Sequence, residues 1–188
     1  MEVQQLAIED VMLCIPSRFG DARGFFVETW NDRLFRQKVA DVTFVQDNHS
    51  LSVPAGTLRG LHFQRPPTAQ GKLVRVARGS VLDVAVDLRR GSPTYGQHVK
   101  AFLTAEKGEQ LWIPPGFGHG FRTLEPNTEF LYKVTDFYSA PDDAGLLWND
   151  PDLGIDWMLD GEEPVLSAKD EKLPRFADFV SPFQYGSC

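Results

Sequence analysis

The chain has little of several things, and each shortage excludes a class of protein. Its 188 residues contain only two cysteines, Cys14 and Cys188, too few for a disulfide framework, so both are read as incidental thiols. No stretch approaches 18 consecutive apolar residues, and no basic segment followed by an apolar run opens the chain, so neither a membrane span nor a secretory leader is expected. The expected compartment is the cytoplasm. Positive charge is also scarce: 19 Lys and Arg against 26 Asp and Glu leave a net charge of −7, which argues against a nucleic-acid partner. Internal repeats and low-complexity runs are missing as well.

What is present is a globular composition, with 42% hydrophobic and 24% charged residues, sized for a single buried core. The charge is uneven. Residues 136–188 carry 12 acids and 3 bases, whereas residues 1–135 carry 14 acids and 16 bases. From residue 40 onward, apolar residues alternate with period two and are cut by Gly and Pro every eight to twelve residues, the pattern of short antiparallel strands. In Val81–Leu88, Leu82, Val84, Val86 and Leu88 share one face, and Asp83 and Asp87 lie on the other. Thr43–Gln46, Lys72–Arg78, His98–Leu103, Gln110–Ile113, Gly120–Thr123 and Glu129–Val134 read as further strands. One short helix is predicted around Asp32–Val39, capped by Asn31 or Asp32, with Leu34, Phe35 and Val39 as its apolar stripe.

The expected fold is all-β, a double-sheet jelly roll in a single domain over 1–188. Residues 1–40 supply N-terminal strands and the helix, 41–138 the jelly-roll core, and 139–188 a wrapping segment. That last segment keeps Leu146, Leu147, Trp148, Ile155, Trp157 and Phe176, and leaving so many large apolar groups in water is unfavourable.

Two of the four histidines have glycine-rich neighbours that admit a ligand: His62 in Arg59-Gly60-Leu61-His62, and His119 in Pro114-Pro115-Gly116-Phe117-Gly118-His119. The series Gly56, His62, Lys72, Gly79 resembles the first cupin motif, and Gly108, Pro114, Gly116, His119 resembles the second. Metal-binding cupins carry His-x-His and a Glu in the first motif. Here Gln64 and Lys72 take two of those places, and an ammonium repels a divalent cation, so neither metal nor cofactor is expected. An inward-facing set of two imidazoles and an ammonium suits acid–base chemistry on an anionic or carbonyl substrate.

The chain as a whole resembles the dTDP-4-dehydrorhamnose 3,5-epimerase family. The resemblance rests on Asp21-x-Arg23-Gly24-x-Phe26, Gln46-x-Asn48-x-Ser50, Arg59-Gly60-Leu61-His62-x-Gln64, Gln70-x-Lys72-Leu73-Val74, Ser92-Pro93-Thr94-Tyr95-Gly96, Trp148-Asn149-Asp150-Pro151 and Ser167-x-Lys169-Asp170. It implies a cupin-type double-stranded β-helix that epimerises a thymidine diphosphate 4-keto-6-deoxyhexose at carbons 3 and 5 without a cofactor. In that reading His62 is the base, paired with Asp170, Tyr132 is the acid, and Lys72 stabilises the enolate oxygen. The alternatives are a surface acid beside Lys169 for Asp170, which is the weaker reading there, a solvated strand lysine for Lys72, and strand packing for Tyr132, whose role rests mainly on the resemblance.

The substrate-binding residues implied are Arg23, Arg59 and Lys169 for the diphosphate, Glu28, Gln46 and Asn48 for the pyrimidine or sugar hydroxyls, and His119 for the substrate. Phe19, Phe26 and Tyr138 are stacking candidates or barrel packing, and Asp143 sits where the family has an acid, in a segment one residue short. Phe63 and Gly118 replace a common Tyr and a common Ala. A homodimer is also implied, with weak support from the apolar Val11-Met12-Leu13. Other readings are a single-centre epimerase, a non-catalytic sugar-nucleotide-binding cupin, and a metal-dependent cupin enzyme.

Overall fold

A computed structural model describes residues 1–186, so Cys188 and its expected thiol lie outside the described residues. The chain forms β1 (Glu2–Gln5), β2 (Met12–Ile15), β3 (Arg18–Asp21), β4 (Gly24–Val27), α1 (Asp32–Lys38), β5 (Gln46–Ser52), β6 (Leu58–Gln64), β7 (Lys72–Arg78), β8 (Ser80–Asp87), β9 (His98–Thr104), β10 (Gln110–Ile113), β11 (Phe117–Thr123), β12 (Thr128–Val134) and β13 (Asp143–Gly145). A six-stranded sheet runs β1-β2-β10-β7-β12-β5, and a five-stranded sheet runs β13-β6-β11-β8-β9. All pairings within them are antiparallel, as in the expected jelly roll. The remaining pair, β3–β4, is a hairpin belonging to neither sheet.

Between the sheets lies one apolar core, built from the inward residues Val74 and Val76 of β7, Val81 and Ala85 of β8, Val99 and Leu103 of β9, Phe121 of β11 and Phe130 of β12. Removing such side chains from water is the main stabilising term. A second apolar cluster covers the outer face of the five-stranded sheet, where Leu82, Val84, Val86 and Leu88 meet Leu146, Leu153, Trp157 and Phe183. The acidic C-terminal segment thus wraps the barrel as its apolar residues required. Being covered on both faces, β8 is buried along its whole length. The face of β8 that carries Asp83 turns inward, so what reads as a polar edge in the sequence is a carboxylate inside the barrel.

On the outer face of the six-stranded sheet, α1 packs Phe35 against Leu73 and Trp112. Asn31 is its N-cap, accepting from the Leu34 amide at 3.1 Å. Phe44 belongs to this cluster, edge-on to Trp30 at 4.9 Å and to Phe35 at 5.3 Å. That packing explains one departure from expectation: the apolar residues around Phe44 follow the aromatic cluster, and the strand starts only at Gln46. Of Val11-Met12-Leu13, Val11 is in the core, while Met12 and Leu13 are half-buried on β2, which pairs with β1 and β10.

Candidate active site

Close approach of β6 to β11 sets the geometry of the site. A Cβ on Gly60 would stand 2.4 Å from the Gly120 Cα, so only glycine permits the contact. The consequence is register: His62 lies directly across from His119, with a bulge between His119 and Phe121. Opposite them, the six-stranded sheet presents Lys72 from β7 and Tyr132 from β12, two strands paired with each other. A cavity of about 300 Å³ opens between these groups, lined also by Arg59, Gln70, Phe121, Phe130, Tyr138, Asp143, Ser167, Lys169 and Asp170. Phe121 and Phe130 stack in its wall, with ring centroids 4.0 Å apart.

Each histidine has a carboxylate behind it. His62 Nε2 is 2.5 Å from Asp170 Oδ1, and the other carboxylate oxygen accepts from Ser167 Oγ at 2.7 Å. Asp170 opens a short 3-10 turn and is buried, which removes the surface-acid reading. Burial alone would push its pKa up, but the hydrogen bonds from His62 and Ser167 outweigh that and hold it below the usual aspartate value. His119 Nε2 lies 3.0 Å from both Asp83 oxygens. Burial lowers the pKa of His119, opposed by Asp83, and raises that of Asp83, opposed by His119 and then Lys72.

Lys72 is buried, which removes the solvated-lysine reading, and donates to the His62 carbonyl at 3.2 Å. Loss of hydration pushes its pKa down to about 8. Burial also raises the Tyr132 pKa, so the hydroxyl stays a phenol, able to donate a proton, across the neutral range.

The cavity mouth is polar. Lys169 Nζ is 2.5 Å from Asp143 Oδ2, which also accepts from the Tyr138 hydroxyl at 3.3 Å. Arg59 reaches the site after donating to Ser52 Oγ at 3.3 Å. Gln46 lines a different cavity with Trp30, Asp47 and Lys133, and touches the site only through Tyr138, its Oε1 accepting from the Tyr138 amide at 3.1 Å while its Nε2 donates to Asn48 at 2.8 Å. Asn48 itself lines a separate cavity with Asp47, His49 and Arg75.

Six expected binding residues do not line the cavity: Gln46, Asn48 and four from the segment before α1. Phe19, Arg23 and Phe26 are on the β3–β4 hairpin, with Phe19 and Phe26 65% and 69% exposed, and Glu28 follows it, accepting from Asn31 Nδ2 at 3.0 Å. Conversely, the structure adds Asp83, Ser167, Phe121 and Phe130 to the site environment. The one sequence signal for Asp83 was an acid inside an otherwise apolar strand. Ser167 and Gln70 stand in the quoted motifs, but residue type alone assigns them no task.

The donor set does not fit a divalent metal. Both histidine Nε2 atoms face carboxylates, and the Gln64 amide is used up by the Thr68 and Phe137 carbonyls and the Ser139 amide at 2.7, 3.1 and 2.8 Å. Among the described residues no three His, Cys, Asp or Glu side chains form a group able to hold an ion.

The fold and site define a cupin-type barrel with an acid–base cavity in place of a metal centre. The sequence profile of dTDP-4-dehydrorhamnose 3,5-epimerase matches residues 5–178, and the chain belongs to that family. A curated dTDP-4-dehydrorhamnose 3,5-epimerase of Sinorhizobium fredii is 54% identical over 185 residues, covering 98% of this chain and 94% of the relative. The crystal structure of dTDP-6-deoxy-D-glucose-3,5-epimerase from Legionella pneumophila, in complex with dTDP-4-keto-L-rhamnose, superposes with a TM-score of 0.93 at 41% identity, covering 98% of both chains. That of the Bacillus anthracis dTDP-4-dehydrorhamnose 3,5-epimerase, with TDP and pyrophosphate bound, gives 0.89 at 47% identity, covering 93% of this chain and 98% of the other.

Proposed function

We propose that the protein is an isomerase that converts dTDP-4-dehydro-6-deoxy-D-glucose to dTDP-4-dehydro-L-rhamnose by moving protons at carbons 3 and 5. A hydrogen next to a ketone is weakly acidic because its loss gives an enolate with charge on oxygen. His62 takes that proton, and Asp170 behind it fixes the ring and stabilises the imidazolium. Lys72 places positive charge by the enolate oxygen, and the Tyr132 phenol returns a proton to the opposite face of the carbon. One proton is gained by His62 and one lost by Tyr132, so exchange with solvent resets both. The single observation that carries this reading is the placement of His62 and Tyr132 on opposed sheets of one cavity that also holds a buried lysine.

Arg59 and Lys169 meet the diphosphate at the mouth, with Tyr138 beside them to stack on a ring. The reading includes a homodimer. It is supported by the exposed aromatic hairpin, since Phe19, Arg23 and Phe26 reach a substrate only if the hairpin extends into the cavity of a second copy. The reading also takes the chain as one domain, supported by the tail residues that complete the outer core, and places it in the cytoplasm, supported by the unpaired buried thiol of Cys14.

The test is turnover of dTDP-4-dehydro-6-deoxy-D-glucose in D2O followed by NMR. Deuterium at both carbons and an L-rhamno product upon coupled reduction are expected. Deuterium at one carbon only would replace this reading with a single-centre epimerase, and no exchange at all would leave only binding.

A further inference from the structure

Beside the cavity residues, one further charged group, Asp83, enters the barrel interior on β8. Asp83 shares the inward face of β8 with Val81 and Ala85, and all three are completely buried. From β9 only Val99, Ala101 and Leu103 face it, none able to solvate a charge. A carboxylate stripped of water is strongly disfavoured unless cations offset it. The groups at hand are the His119 imidazole on β11, a hydrogen-bond donor at 3.0 Å, and the Lys72 ammonium on β7, which acts on it through space. His62 on β6 and Tyr132 on β12 complete the inward titratable groups, with Asp143, Lys169 and Asp170 at the mouth.

Asp83 does not line the cavity, so it touches no substrate. A neutral acceptor such as Asn would satisfy His119 with less desolvation, so the hydrogen bond alone does not account for a charge at this place. The two oxygens sit equally far from Nε2, which turns that nitrogen away from the cavity and leaves Nδ1 for a ligand.

We propose that Asp83 is a positioning residue for the epimerisation: it holds His119 through Nε2, so that Nδ1 faces the cavity, and it supports the ammonium of Lys72 where the enolate oxygen forms. The idea rests on the epimerase reading of the cavity. Burial works against Lys72 by drawing its proton off near pH 8, and the Asp83 charge opposes that loss. An enzyme with the carboxylate removed should therefore lose its charged lysine at lower pH.

The test uses Asp83→Asn in the full-length chain, with kcat and KM measured from pH 6 to 9.5 by deuterium exchange into substrate. The expected result is a fall in kcat of about 10- to 100-fold at pH 7.5, KM within threefold, and an alkaline limb of kcat displaced to lower pH. In a Lys72→Met background the same change should cost much less, because the two act together. A kcat within threefold of the parent with an unmoved limb overturns the proposal and leaves Asp83 structural. Should Asp83→Asn fail to fold, 15N NMR of wild-type His119 decides instead: Nε2 protonated from pH 6 to 9 is expected, and an unprotonated Nε2 is refuting. If the wild-type protein exchanges no deuterium, it is the epimerase reading that fails, and the NMR result still stands on its own.

Discussion

Replacing Asp170 by Asn probes the dyad with nearly no change in shape. The carboxylate has two partners, His62 Nε2 at 2.5 Å and Ser167 Oγ at 2.7 Å, and its own backbone amide donates to that Ser167 oxygen at 3.2 Å. In the variant, Ser167 can accept from the new amide nitrogen, which leaves the amide oxygen facing His62 and keeps the same ring tautomer. What disappears is the charge. A hydrogen bond to a charged group is worth about 1.5–3 kcal/mol net, against about 1 kcal/mol for a neutral one. Charged assistance withdrawn from the imidazolium, about 0.5–2 kcal/mol, therefore lowers kcat by about 2- to 30-fold, at roughly 1.4 kcal/mol per factor of ten. Adding Ser167→Ala frees the amide to turn its nitrogen toward His62, and the loss then grows toward the roughly 10⁴-fold typical of a reversed tautomer. The assay is initial-rate deuterium incorporation at saturating substrate, alongside thermal unfolding of each variant. A kcat for Asp170→Asn equal to that of wild type refutes the dyad, and equal losses in the single and double variants refute the role given to Ser167.

Further expectations follow from burial. Because the folded-state pKa of Asp170 is depressed, its ionised form adds stability above the unfolded aspartate value near 4, and that share is lost as pH falls through the lower folded value. The Tm gap between wild type and Asp170→Asn, scanned from pH 7 to 3, should narrow at the acid end, and a widening gap contradicts the sign. Lys72 becomes a neutral amine as pH rises through about 8, so wild-type kcat should fall above that pH. Lys72→Met should cut kcat about 10²- to 10³-fold and abolish that limb, and a limb surviving in the variant assigns it elsewhere. Trp157 is buried against the outer sheet and donates to the Trp148 carbonyl at 2.8 Å. Trp157→Ala should cost about 3–5 kcal/mol in urea unfolding, and a loss under 1 kcal/mol would mean that the tail adds little to the barrel.

Much of the fold was legible because strand periodicity and turn residues are local signals. The helix and its Asn31 cap, the strands from Lys72 to Val134, and the wrapping tail follow from pattern and burial alone. Failures came where tertiary packing overrode the local pattern. Phe44 was drawn under the helix, so its neighbourhood is not a strand, and Gly60 interrupted the alternation of β6 that brings His62 to the site. Asp83 illustrates the limit most clearly. Period two assigned its face correctly, yet whether that face meets water or another sheet depends on parts of the chain far away: the C-terminal segment, some sixty residues on or more, for the opposite face, and β7 and β11 for its own. Among the site residues, His62, Lys72, Tyr132, His119, Asp170, Arg59, Tyr138, Asp143 and Lys169 converge on one cavity. The hairpin residues do not, because β3 and β4 pair only with each other, outside both barrel sheets.

The most direct measurement compares wild type with His62→Ala, verified as folded by its unfolding transition, for solvent deuterium entry into dTDP-4-dehydro-6-deoxy-D-glucose. Wild type should label carbons 3 and 5 while the variant labels neither. Labelling by His62→Ala at the wild-type rate would contradict His62 as the base and, with it, the proposed chemistry of the cavity.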